Sequence, residues 1–257
     1  DASTDNLNMI PFLALTGVTA FSDGKLSGAV SITDSLAHPL IAFKGTIRDL
    51  SVSTFRVPSI ECDLAVDREK LSVDGVLRVS PQHEGAFHGT LPLVSAPFLY
   101  GLDRAKHVSF EVDLPEGDLA GLADATDIVA DAAGRYSAQL MVTGSIVEPH
   151  LYGDLRMSGA SFRLSGMEER YYGVDATVLL EDSLITISKL SAREGKKGTL
   201  DCAGRITLRG WRPATYDLTA TADEFVLASL SNILANVSGT VKVATKTEGD
   251  RGVPVLS

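Results

Sequence analysis

Val108-Ser109-Phe110-Glu111-Val112-Asp113-Leu114 alternates apolar and polar residues without a break. Successive side chains of a β-strand point to opposite faces, so this heptapeptide has one oily face and one wet face. The same alternation runs through Ile60-Glu61-Cys62-Asp63-Leu64-Ala65-Val66, Leu71-Ser72-Val73, Leu184-Ile185-Thr186-Ile187-Ser188 and Tyr216-Asp217-Leu218-Thr219. An oily sheet face has to be buried against something. The sequence offers one convincing helix for that purpose. The cover is therefore expected to be another part of the same sheet, a partner, or an apolar ligand.

The chain has 257 residues, 44% of them hydrophobic and 22% charged, which is the composition of a folded rather than a disordered protein. Its formal net charge is -10. An acidic surface repels phosphate backbones, so nucleic acid is not an expected partner. No apolar run reaches the roughly 18 residues needed to span a bilayer. The longest candidate, Met9-Ile10-Pro11-Phe12-Leu13-Ala14-Leu15, is short and carries a proline. The chain begins at Asp1 without an initiator Met and stops soon after an unfinished strand, so it is expected to be a piece of a longer protein.

Strand signals recur at short spacing over 26–33, 40–48, 50–57, 60–66, 71–79, 86–93 and 107–114. Turn residues separate them at Asp23-Gly24, Asp34-Ser35, Pro58-Ser59, Asp67-Arg68-Glu69 and Pro81 to Gly85. This is the rhythm of an antiparallel meander. It pauses at Asp118, a fitting N-cap, followed by Leu119, Leu122, Ala123, Thr126 and Val129 at helical spacing and by Gly134 as a closing glycine. Strands resume over 135–146, 151–157, 160–165, 171–181, 184–191, 199–209, 214–221, 224–227 and 237–244, with a second weak helix over 228–236. The organisation expected is an irregular leading segment over 1–16, a β-segment over 17–114, a helical insertion over 115–134, and a second β-segment over 135–257 continuous with the first. The fold class is all-β, mainly antiparallel, with one or two short helices. A diffuse repeat, seen in Leu26 to Gly45, Val142 to Gly153 and Val237 to Leu256, favours elongated growth by modules.

Chemistry is hard to find. No nucleophile elbow, phosphate-binding loop or dinucleotide fingerprint occurs. His83, Glu84 and His88 share a turn region at a spacing that matches no common zinc pattern. Glu168-Glu169 and Glu181-Asp182 read as exposed charges beside turns, and Arg193 to Gly198 as a basic hairpin tip. Trp211 reads as a turn aromatic packed on neighbouring strands. Cys62 and Cys202 follow the apolar register of their strands and read as small inward-facing hydrophobes, with a disulfide possible only if the fold brings them together. No catalytic residue, metal ligand or cofactor is nominated, and an enzyme is not expected.

From Asp118 onward the order of features carries a resemblance. Gly134-Arg135-Tyr136 leads into Ala138-Gln139-Leu140-Met141-Val142, then Thr143-Gly144-Ser145-Ile146-Val147-Glu148-Pro149-His150-Leu151-Tyr152-Gly153-Asp154-Leu155. Gly159-Ala160-Ser161-Phe162-Arg163-Leu164, Tyr171-Tyr172-Gly173, Asp182 to Ile187, and Gly198-Thr199-Leu200 with Ala203 to Leu208 follow. This order resembles the repeated region of the TamB/AsmA-like proteins of diderm bacteria, well over 118–257 and more weakly over 20–114. The resemblance implies a periplasmic protein, anchored in the inner membrane by a segment absent here. It implies a β-rich body folded lengthwise into a taco-like groove with an apolar interior, and an outer-membrane β-barrel partner of the BamA/TamA kind. It also implies lipid transport between the two membranes, with phospholipid or another acyl-chain lipid as the ligand.

The residues agree with that expectation, because an oily face without a helical cover suits acyl chains. Val73, Phe110, Val112, Leu114, Leu140, Val142, Leu184, Thr186 and Leu218 are the candidate groove-lining residues. Two other readings remain open. One is a scaffold that assists assembly of outer-membrane β-proteins through an open sheet edge. The other is a dry structural solenoid.

Overall fold

The computed structural model describes residues 1–8, 21–35, 38–52, 55–67, 69–80, 82–96, 99–123, 126, 128–165, 169–195, 197–227, 235–248 and 251–256. The strands of the first half are β1 (Ala2–Asn8), β2 (Phe21–Ser35), β3 (His38–Val52), β4 (Phe55–Val66), β5 (Lys70–Ser80), β6 (His83–Ala96), β7 (Leu99–Leu102) and β8 (Ser109–Asp118). One helical turn, α1 (Leu119–Ala123), follows. Then come β9 (Val129–Gly144), β10 (Pro149–Leu164), β11 (Arg170–Asp182), β12 (Leu184–Glu194), β13 (Gly198–Arg209), β14 (Arg212–Leu227), β15 (Ala235–Glu248) and β16 (Arg251–Leu256). The all-β expectation holds: the strands follow one another in chain order in an open antiparallel sheet, and β7 alone leaves the path by pairing only with β6. The molecule divides into two compact units, Asp1–Pro115 with Ala125–Asp127 and Met141–Val147, and Glu116–Asp124 with Ile128–Leu140 and Glu148–Ser257.

The strands are longer than the sequence rhythm suggests. Segments 151–157 and 160–165 form one strand, β10, and 214–221 with 224–227 form β14. The expected turn at Pro58-Ser59 lies inside β4, and residues 53–54 separate β3 from β4 instead. β-Bulges do the joining. The pairing register shifts between Thr4 and Leu7, between Met157 and Ala160, and between Ala222 and Phe225. Each bulge carries one left-handed residue: Asn6 at φ 57°, Gly159 at φ 55° and Glu224 at φ 43°. The amide so freed from the ladder donates to a side chain on the neighbouring strand. Asn6 N donates to Ser27 Oγ at 2.9 Å, Gly159 N to Asp175 Oδ1 at 2.9 Å, and Glu224 N to Ser238 Oγ at 2.8 Å. A bulged strand bends without leaving a backbone donor unpaired.

Two expectations are corrected. The helical insertion shrinks to α1, although its N-cap is real: Ala120 N donates to Asp118 Oδ1 at 2.9 Å. Beyond it, Val129 to Gly144 is strand, and Gly134 lies inside β9 against Ala160 of β10 rather than closing a helix. Gly121 weakens a helix by about 1 kcal/mol, and β-branched Ile128 and Val129 fit a pleated surface better, so strand pairing prevails. The leading segment contains a strand, β1, paired with β2. The proposed helix over 228–236 lies largely outside the described residues.

Candidate functional site

Residues directly opposite each other in an antiparallel ladder share a face, so the register decides which side chains form one surface. In the first unit, Val30 pairs with Phe43, Phe43 with Leu64, Leu64 with Val73, Val73 with Gly89 and Gly89 with Phe110. The next row runs Gly28, Gly45, Cys62, Gly75, Phe87 and Val112. The opposite face is polar. Lys44 meets Asp63 at 3.1 Å, Arg78 meets Glu61 at 3.3 Å and Glu84 at 2.7 Å, and His88 meets Glu111 at 3.4 Å. These pairs are exposed, so they fix register more than they add stability.

Glycines make the apolar face smoother than its composition suggests. A methyl group placed on Gly75 would come within 2.5 Å of Phe87 Cζ, and one on Gly89 would fall on the Phe110 ring. Each ring lies down over the glycine of the neighbouring strand, and the two rings stack with centroids 6.2 Å apart.

The second unit has the same division. One row contains Leu180, Ile185, Ile206 and Tyr216, and the next Val178, Ile187, Gly204, Leu218 and Val243. Further along the strands the residues shrink to Ala176, Leu190, Cys202 and Ala220, and then to Ala192, Leu200 and Ala222. The last row reads Tyr171, Glu194 and Gly198. At this end the ring of Tyr171 on β11 meets Phe225 on β14, with centroids 5.6 Å apart, and Tyr171 OH donates to Val226 O at 3.3 Å.

That contact fixes the sense of curvature. β11 and β14 are three strand spacings apart, about 14 Å in a flat sheet. Side chains standing parallel at that distance do not touch. The apolar face of the second unit is therefore concave, and small residues at one end let its walls close. Phe162 extends the clasp to β10, 5.9 Å from Tyr171. The clasped end is packed: Phe225 is 2% exposed, Tyr171 6% and Ala160 0%. The other end stays open, with Ile185, Ile206 and Tyr216 half-buried and Leu155 42% exposed.

The candidate lining residues sort cleanly. Val73, Phe110, Val112 and Leu114 share the apolar face of the first unit. Leu140 and Val142 lie on the side of β9 that carries buried Tyr136, and Leu218 lies on the apolar face of the second unit. Leu184 and Thr186 do not belong with them. They pair with Thr207 and Arg205, and Arg205 pairs with Asp217, so both lie on the polar face, while Ile185 and Ile187 turn to the apolar one. The aromatic clasp was not anticipated. Small residues, Ala192 and Ala222, lie on the same face one row away.

Cys62 and Cys202 take the inward places expected of them, as free thiols in different units. Burial pushes the Cys62 thiol up, aided by the Asp63 charge, and burial alone raises that of Cys202. Burial likewise raises the Tyr136 phenol. Arg193 to Gly198 is a hairpin tip as expected. Trp211 lies in the turn between β13 and β14, as expected, and is 56% exposed. Among the described residues no three His, Cys, Asp or Glu side chains converge to hold a metal ion. No known family, curated protein or solved structure matches the chain.

Proposed function

We propose that the apolar face shelters lipid acyl chains, and that the chain is a segment of a bridge that conducts phospholipid between two membranes. In this reading it is a periplasmic segment of the TamB/AsmA-like kind, anchored and partnered through parts of a longer protein. The observation that carries the proposal is an apolar sheet face in each unit that the described residues leave largely uncovered. Among the described residues no large side chain is completely buried. The chain exposes 15895 Å² for a mass of 27.2 kDa. A compact protein of that mass would expose about 10,900 Å², and two separate compact halves about 13,100 Å² together. Each methylene taken out of water onto such a face gains about 0.8 kcal/mol. Lipid sliding along it changes no covalent bond, so the function needs no reacting group.

The test is native mass spectrometry with lipid extraction on the protein purified from an intact bacterial envelope. Co-purified phospholipid is expected, lost in Val112→Arg and kept in Thr186→Arg, whose side chain lies on the polar face. A well-folded wild-type protein free of lipid, or equal loss in both variants, would overturn the proposal. Capture of an extended peptide along the outer edge of β1 in place of lipid would move the assignment to the assembly scaffold.

A further inference from the structure

The hairpin joining β13 and β14 ends in Arg209-Gly210-Trp211-Arg212, and its features do not belong to the apolar face. Gly210 takes the first central position of the turn at φ 59° and Trp211 has no positive φ, which is what a type II′ hairpin asks of the two residues. This turn sets Arg209 directly opposite Arg212 in the ladder. Both arginines are exposed, and Trp211 between them is 56% exposed. Like charges facing each other across two strands destabilise a hairpin. Four other arginines find ion-pair partners: Arg78 with Glu61 and Glu84, Arg135 with Glu116, Arg156 with Asp154, and Arg163 with Asp131. Among the described residues neither Arg209 nor Arg212 has a carboxylate within ion-pair reach. In a chain of net charge -10 this tip is a local positive point with an exposed indole at its apex.

We propose that this tip docks on an anionic lipid surface, with the Trp211 ring seated at head-group depth and the two guanidiniums on lipid phosphates. An anion between the arginines relieves their repulsion, and guanidinium binds phosphate through paired hydrogen bonds. An indole with an apolar body and a polar edge favours the boundary between water and hydrocarbon. A free phosphate would satisfy the charges but give the ring no gain, so the combination selects a surface. The proposal does not depend on acyl chains occupying the concave face.

Trp211 is the only tryptophan in the chain, so intrinsic emission reports on this tip alone. The full chain is titrated with vesicles of phosphatidylcholine, with and without phosphatidylglycerol. Emission should shift to the blue and the protein should co-sediment with the anionic vesicles only. Each cationic side chain near an anionic surface is worth about fivefold in partitioning, so Arg209→Gln with Arg212→Gln should weaken binding about 25-fold. Trp211→Phe should weaken sedimentation as well. The Arg209→Gln, Arg212→Gln double variant should keep its co-purified phospholipid, which separates this proposal from the one for the apolar face. Unchanged emission with anionic vesicles, an equal shift with phosphatidylcholine or with inorganic phosphate alone, or undiminished binding by the double variant would each overturn it.

Discussion

Phe225→Ala tests the curvature of the second unit. The ring is 2% exposed and stacks on Tyr171 across two intervening strands. Removing a buried phenylalanine costs about 3–5 kcal/mol, so a loss of at least about 3 kcal/mol is expected. Tyr171→Phe keeps the stack and loses the 3.3 Å hydrogen bond to Val226 O, for about 1 kcal/mol. A chain of two units need not unfold in one step, so a single unfolding midpoint is the wrong readout. Amide hydrogen exchange, resolved by peptide, reads local opening directly. Phe225→Ala should lower protection about 100-fold in the parts of β11 and β14 beside the clasp, since about 1.4 kcal/mol corresponds to tenfold. Thr186→Ala, on the polar face of β12, should change protection by less than about threefold, as surface substitutions do. Equal and small losses in the two variants would mean that the rings do not bridge β11 and β14. The inferred concavity of the apolar face would then fail with them.

Two further outcomes follow from the titratable groups. The Gly159 amide and then the Lys189 ammonium hold the Asp175 carboxyl below its usual value. A depressed carboxyl contributes stability above its unfolded value of about 3.9 and loses it as pH falls through the lower folded value. Asp175→Asn should therefore raise exchange at the bulge in β10 at neutral pH, and the gap from wild type should close in acid below that range; a gap constant down to the lowest pH would refute the assignment. Cys62 is nearly buried and Cys202 half-buried, both with thiols pushed up by burial. Iodoacetamide at neutral pH should label Cys202 faster than Cys62 in the folded protein, and added phospholipid should slow Cys202 further; labelling of Cys202 indifferent to lipid would argue against acyl chains on that face.

Much of the first unit was legible because its alternation is unambiguous. In Val108 to Leu114 every apolar residue has the same parity, so Phe110, Val112 and Leu114 could be placed together without coordinates. Leu184-Ile185-Thr186-Ile187 carries apolar residues on both parities, and there the same reasoning chose the wrong side. The choice falls to cross-strand partners, Ile206 for Ile185 and Arg205 for Thr186. The segment after Asp118 misled for a related reason. Its small residues satisfy a helical spacing and a strand equally, and the close approach of Gly134 to Ala160 in the next strand exists only once the sheet has formed.

The sequence by itself determined that this chain is a meander of strands with one oily face, because a period of two is written into local composition and needs no distant partner. Tertiary structure alone decided which residues of the mixed segments turn to that face. It also decided where bulges replace turns, and that Tyr171 and Phe225 meet across two intervening strands. Register and curvature depend on pairs far apart in sequence, and no local pattern encodes the distance between them.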